Sequence, residues 1–328
     1  MSSEAAAVAD AGRFASSAVA APPKSETTSR AGAGAARGVL AANALIFFNT
    51  LLRSASSLLV MPVMATALGA ERYGLWITVS TVTMYFSLAE GGLGQAVVNQ
   101  IGRAHALGRT RRVGEIMATA HVLYWLTIVV VGLAATTALL VTPLAERLLA
   151  EEDQAHAPLL RTCLILSTTM ALVRIPYLVF PGLLIGVRRL PLRVVWEIGG
   201  TLLALGATLA ALRLGAGLIE LVIVNNAALF VATAAICLSS ARVGEWARLR
   251  WRHCRPALIP KLASSSGWFF LINAAMVVDR GATTLLVPRF ASLAATPPFF
   301  LLVSLFRVAG YAAVSSLPRA IQPYVVFW

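Results

Sequence analysis

Charge is scarce in this chain and lysine is nearly absent. Charged residues fill 12 % of 328 positions, and the lysines are Lys24 and Lys261 alone. Soluble domains carry about 25 % charged residues, so an ordinary water-surrounded globule is excluded. Neither lysine stands in a GxxxxGK[ST] context, which excludes ATP-driven transport powered by a phosphate loop of this chain. Cysteine is limited to Cys163, Cys237 and Cys254, without a CxxC pair, and these read as small apolar packing residues. The four histidines, His105, His121, His156 and His253, stand singly with no HExxH or HxxxH spacing. Neither a metal site nor a cofactor is expected. The first 38 residues lack the continuous apolar core of a signal peptide. The longest connection between apolar runs, residues 241–263, is too short for a separate catalytic domain. An enzyme is therefore not expected.

What the chain has in abundance is apolar sequence: 58 % hydrophobic residues and a mean hydropathy of +0.78. Runs long enough to cross a bilayer, about 20 residues each, recur from residue 40 onward. The expected fold class is all-α, a polytopic integral membrane protein of about eight transmembrane helices. Their expected bounds are 40–67, 74–98, 116–142, 158–185, 193–213, 218–239, 264–288 and 297–325. Residues 1–38, rich in Ala, Ser, Gly and Pro, read as a disordered cytoplasmic tail. Gly32-Ala-Gly34 inside it follows no strand and is no phosphate loop.

The net charge of +13 is explained by position. Seventeen of the 27 basic residues fall in the tail or in the connections after spans 2, 4 and 6; five fall on the opposite side, beside the acidic run Glu151-Glu152-Asp153. Basic loops stay cytoplasmic, so the N-terminus and the loops near 99–115, 186–193 and 240–263 are expected in the cytoplasm. The charge gives no reason to invoke nucleic acid.

Five arginines remain: Arg53, Arg174, Arg280, Arg307 and Arg319. An ionisable side chain near the bilayer centre costs at least about 2.5–3.5 kcal/mol, so it must pair, snorkel or face water. Arg53, Arg174 and Arg307 lie far from the span ends, whereas Arg319 is near enough to snorkel. The acidic residues in the spans are Glu90, Glu197, Asp279 and, at an end, Glu220. Two readings stand side by side. Each arginine is neutralised by a carboxylate of another helix, or Arg53, Arg174 and Arg307 line a net-positive chamber for an anionic substrate, with Asp279 at its rim. Guanidinium groups match phosphate oxygens bidentately. Asp279 and Glu90 are the candidates for ion pairing or for a coupling ion. Pro62, Pro176, Pro181, Pro318 and Pro323 permit kinks, and Gly182-x-x-x-Gly186 reads as close helix packing.

The segments Leu68-Gly69-Ala-Glu71-Arg72-Tyr73-Gly74-Leu75-Trp76 and Glu90-Gly91-Gly92-Leu93-Gly94-Gln95-Ala96 resemble Wzx-type polysaccharide flippases. These belong to the multidrug/oligosaccharidyl-lipid/polysaccharide exporter superfamily. Gly186-Val-Arg188-Arg189 and Asp279-Arg280 agree in order and spacing; Glu90-Gly91-Gly92 departs from the usual aspartate-leucine-glycine start. The resemblance implies two six-helix lobes about a cationic cavity. The implied task is to flip a polyprenyl-pyrophosphate-linked oligosaccharide across the cytoplasmic membrane by alternating access, with glycosyltransferase or polysaccharide polymerase partners. On that pattern residues 39–240 form a first lobe, 241–263 a basic cytoplasmic loop, and 264–328 the first two helices of a second lobe. The chain thus reads as a C-terminally truncated flippase. Alternatives of neighbouring type are a peptidoglycan lipid-precursor flippase and a cation-coupled drug exporter.

Overall fold

The computed structural model describes residues 26–90, 92–244 and 251–314. By contacts the chain divides into residues 1–40 and 41–328. The described part of the first unit, from Glu26, is helical, although its composition led to the expectation of an unstructured tail. Its alanines, the strongest helix formers, supply a local reason.

The described elements of the second unit are helical, and the protein is a polytopic membrane protein. Helix α1 is Glu26–Leu68, its span being Ala41–Leu68. Next come α2 (Ala70–Tyr85), a 3-10 turn (Phe86–Glu90) and α3 (Leu93–Ala106). Helix α4 (Thr110–Val141) leads through the short α5 (Leu144–Arg147) and a 3-10 turn (Glu151–His156) to α6 (Ala157–Arg174). A second 3-10 turn (Ile175–Leu178) joins α6 to α7 (Val179–Gly186). Helices α8 (Leu190–Arg213), α9 (Leu218–Ala241), α10 (Ile259–Phe290) and α11 (Thr296–Val314) follow.

Six of these stretches are long and apolar enough to cross a membrane. The expected second span, residues 74–98, is not one continuous helix. It breaks after Glu90, and Gly92 takes the left-handed conformation at φ 71°. A Cβ there would lie 2.5 Å from the Phe270 amide nitrogen and from the Ser266 carbonyl oxygen of α10. Two independent constraints, dihedral angle and backbone contact, thus demand glycine. The fourth span bends at Ile175–Leu178, where Pro176 removes a helical donor.

Without a hydrophobic driving force between helices, close approach and dispersion hold a membrane bundle together. Gly186 seats against Ile101 of α3 and Gly182 near Val97 and Val98, so the GxxxG packs α7 on α3. Gly200 of α8 seats on Ala232 of α9. One packed cluster joins α3, α4, α6 and α7 around Val97, Ile116, Tyr124 and Leu183. A second joins α2, α6 and α9 around Leu75, Leu160, Leu164 and Val222.

Candidate functional site

Arg53 of α1 and Arg174, the last residue of α6, line one cavity of about 480 Å³. Glu90, Thr83, Ser167, Asn225 and Asn226 share its wall. A second cavity of about 500 Å³ adjoins it, with Arg53, Trp76, Ser80, Met84, Asn225 and Leu229 common to both. The two form one cleft bounded by α1, α2, α6, α8, α9, α10 and α11, with Arg53 at the junction. Arg53 is exposed to the cleft and Arg174 is half-buried.

Among the described residues neither arginine forms a salt bridge. Glu90 lies in the same cavity, yet its carboxylate turns the other way. It accepts the Tyr124 hydroxyl at 3.4 Å and folds over the Gly94 backbone at the start of α3. A carboxylate there offsets the positive end of a helix, which gives Glu90 a structural task. Glu197 is likewise engaged, with Arg193 Nε at 2.6 Å and the Asn49 amide at 3.2 Å. The carboxylates nearest the cleft are therefore held by other partners.

Arg174 owes its position to the kink that follows it. The Pro176 carbonyl lies 3.0 Å from His121 Nδ1, and the Trp125 indole donates to His121 Nε2 at 3.2 Å. An indole can only donate, so Nδ1 carries the proton and donates to the proline carbonyl. His121 thereby pins the 3-10 turn, and Trp251 and Tyr177 meet its ring edge-on.

The remaining expected site residues stand differently. Asp279 is exposed on α10 and lines neither cavity. Gly281 packs on Tyr85 and Thr284 faces the cleft. Position 279, about 200° around the helix from 281, points elsewhere. The Arg307 and Arg280 side chains, and all of Arg319, lie outside the described residues. No group of three metal-ligating side chains occurs among the described residues. Sequence reasoning missed Trp76, Ser80 and Asn225. The signal for Asn225 was available: two adjacent amides, Asn225-Asn226, interrupt an otherwise apolar run.

No family model matches the chain, and no curated protein matches it. Solved structures do. One, named only protein A, superposes with a TM-score of 0.74 at 14 % identity, covering 89 % of this chain and 65 % of that one. Another is the inward-facing conformation of a multidrug resistance MATE family transporter of the MOP superfamily. It superposes with a TM-score of 0.59 at 16 % identity, covering 85 % of this chain and 67 % of that one. The fold is shared with a membrane transporter. The chain spans about two thirds of the length of each of these structures.

Proposed function

We propose that this chain serves the flipping of a polyprenyl-pyrophosphate-linked oligosaccharide across the cytoplasmic membrane, by alternating access around the Arg53–Arg174 cleft. The observation that carries the reading is the pair of arginines, from helices distant in sequence, on one membrane-embedded cavity without salt bridges to the described carboxylates. A cavity holding two unneutralised guanidiniums attracts an anion of at least two charges, which a pyrophosphate supplies. The transporter fold and the Wzx-like segments Leu68–Trp76 and Glu90–Ala96 support the same direction. Polyprenyl chains have the surrounding lipid as solvent, so only the polar head needs the cleft. The proposed orientation places the N-terminus in the cytoplasm, with glycosyltransferase or polymerase partners supplying and consuming the cargo. A peptidoglycan lipid precursor carries the same pyrophosphate and is the neighbouring reading. A cation-coupled drug exporter is disfavoured by the same two arginines, because they repel a cationic drug.

The test is charge reversal in cells that depend on this protein for surface polysaccharide. Arg53→Glu and Arg174→Glu are each expected to abolish export while inserting at the wild-type level. At 4 Å and an effective dielectric near 20, one unit-charge contact is worth about 4 kcal/mol before desolvation is subtracted. Normal export by both variants would falsify the anionic-cargo reading.

A further inference from the structure

The two halves of the cleft differ in chemistry. The half at Arg174 carries both guanidiniums. The other extends from Arg53 along α1, α2, α8 and α9, and its one charged wall residue is that same Arg53. Its remaining lining sets hydroxyls, one amide and aromatic rings, among them Ser57, Ser80, Thr208, Asn225, Tyr73 and Trp76, between aliphatic side chains such as Val60, Ile77 and Leu205.

Several of these polar groups have no hydrogen-bond partner among the described residues, although the Tyr73 and Trp76 rings also pack in apolar clusters. Thr78, Thr81 and Thr83 of α2 return their hydroxyls to carbonyls one turn back. Ser57, Ser80, Thr208, Asn225, Tyr73 and Trp76 form no hydrogen bond among the described residues, and Ser57 and Ser80 are exposed to the cleft. The neighbouring Asn226 amide, by contrast, is buried and donates to the Val222 carbonyl. A polar group facing hydrocarbon is costly, so a cluster of unused donors and acceptors beside an indole face needs water or a polar ligand. Uncharged polyhydroxylated rings match it: their hydroxyls pair with the amide and the serines, and their C–H face lies on an aromatic ring with one polar edge.

We propose that this half of the cleft is a saccharide subsite, continuous through Arg53 with an anion subsite at Arg174. A sugar and the phosphate attached to it are thus read by separate walls. The assignment rests on the anionic-cargo reading above and adds the second wall. It also gives the cargo a polarity. Tyr73, which lines the neutral half alone, lies within a few residues of the Gly69 turn, and Thr208 lies towards the end of α8; Glu90 and Arg174, which line only the other half, lie towards the opposite helix ends. With the basic connections in the cytoplasm, the sugar lies outward of the pyrophosphate.

The full chain, purified in lipid nanodiscs, is titrated with undecaprenyl pyrophosphate. It is then titrated with the same lipid carrying glucose, galactose or N-acetylglucosamine. Wild-type protein is expected to bind at least one glycosylated probe roughly tenfold more tightly than the bare pyrophosphate. Ser57→Ala and Thr208→Val, at residues that line the neutral half alone, should each remove most of that gain and leave the bare lipid's affinity unchanged. Thr208→Ser, which keeps the hydroxyl, should retain much of the gain. It also separates loss of the hydroxyl from loss of folding. Arg174→Gln should weaken every probe alike. If the bare lipid binds and no sugar adds affinity, the saccharide subsite is wrong while the anionic-cargo reading stands. If Ser57→Ala and Thr208→Val weaken bare and glycosylated lipids equally, the subsite is likewise wrong. If no probe binds wild-type protein, both are overturned.

Discussion

Single residues here carry constraints that their chemical type alone does not reveal. Gly92 combines a left-handed backbone with an α10 main chain so near that an added Cβ would stand 2.5 Å from it. An alanine there is strained by its dihedral angle and also pushes against backbone, which cannot swing aside as a side chain can. Gly92→Ala should therefore cost at least about 2 kcal/mol, read as a lowered Tm in detergent or nanodiscs. Gly199, whose Cβ would meet nothing, should accept alanine without loss. His121 is a second case. Replacing it by Phe keeps bulk but strips the Pro176 carbonyl and the Trp125 indole of their partners. A buried polar group left unpaired costs about 1–3 kcal/mol. The kink beside Arg174 is expected to loosen, with lower Tm and weakened binding of an anionic lipid. An unchanged Tm would remove His121 from the account of the kink. No property of an isolated histidine in an apolar run distinguishes this pin from a satisfied core residue; the partner 55 positions away is visible only in the fold.

At the scale of elements, α10 is tied to the preceding helices at both ends. Where the basic connections gather, the buried Glu115 of α4 takes Arg255 Nη2 at 2.9 Å and Arg112 at 3.0 Å, while the Arg255 amide donates to Thr119. At the other end Asp153 accepts the buried Leu293 amide at 2.8 Å, the Arg289 guanidinium donates to the Leu149 carbonyl, and the Ala150 amide donates to the Pro288 carbonyl. Gly74 meets the Leu293 carbonyl at the same place. Asp153→Ala leaves a buried amide without an acceptor and should cost about 1–3 kcal/mol. Hydrogen exchange should then quicken in residues 288–293. Asp153→Asn, which keeps a carbonyl oxygen, should restore much of the protection. Equal exchange in wild type and Asp153→Ala would show that this contact does not hold the segment. Such ties were hidden in the sequence, where Glu151-Glu152-Asp153 reads as one acidic run. The structure buries only the third of these and leaves Glu151 and Glu152 exposed or nearly so. Six of the eight expected span positions were legible, because apolar run length and charge punctuation are local quantities; 74–98 and 297–325 have no helix of crossing length among the described residues. The break at Gly92 was less so, since the glycine pair signals a bend only once a second backbone is known to cross it. Arg53 and Arg174 were found as charges too deep to reach an interface. Their meeting on one cleft depends on helix rotation, and the same rotation turns Asp279 away.

For the whole molecule, the sharpest asymmetry is between its two ends. The connections α3–α4, α7–α8 and α9–α10, with the helix turns that flank them, carry Arg103, Arg109, Arg111, Arg112, Arg188, Arg189, Arg193, Arg242, Arg248, Arg250, Arg252, Arg255 and Lys261. The opposite connections, α1–α2, the segment from α4 to α6, α8–α9 and α10–α11, with their flanking helix turns, carry Glu71, Glu146, Glu151, Glu152, Asp153 and Glu220 against five arginines, Arg72, Arg147, Arg161, Arg213 and Arg289. Short basic loops resist translocation, so the first end should face the cytoplasm. This fixes which half of the cleft faces outward, so the direction of the cargo depends on it. A variant with Cys163, Cys237 and Cys254 replaced by alanine would carry a single new cysteine, either Arg109→Cys or Leu214→Cys. Both lie in helix connections, and Leu214 is 87 % exposed. A membrane-impermeant maleimide added to intact cells should label position 214 and spare position 109 until the membrane is permeabilised. Labelling of 109 in intact cells, with 214 protected, would invert the molecule and the outward placement of the sugar. The arginine pair and the neutral wall would remain as they are, so the result bears on orientation alone.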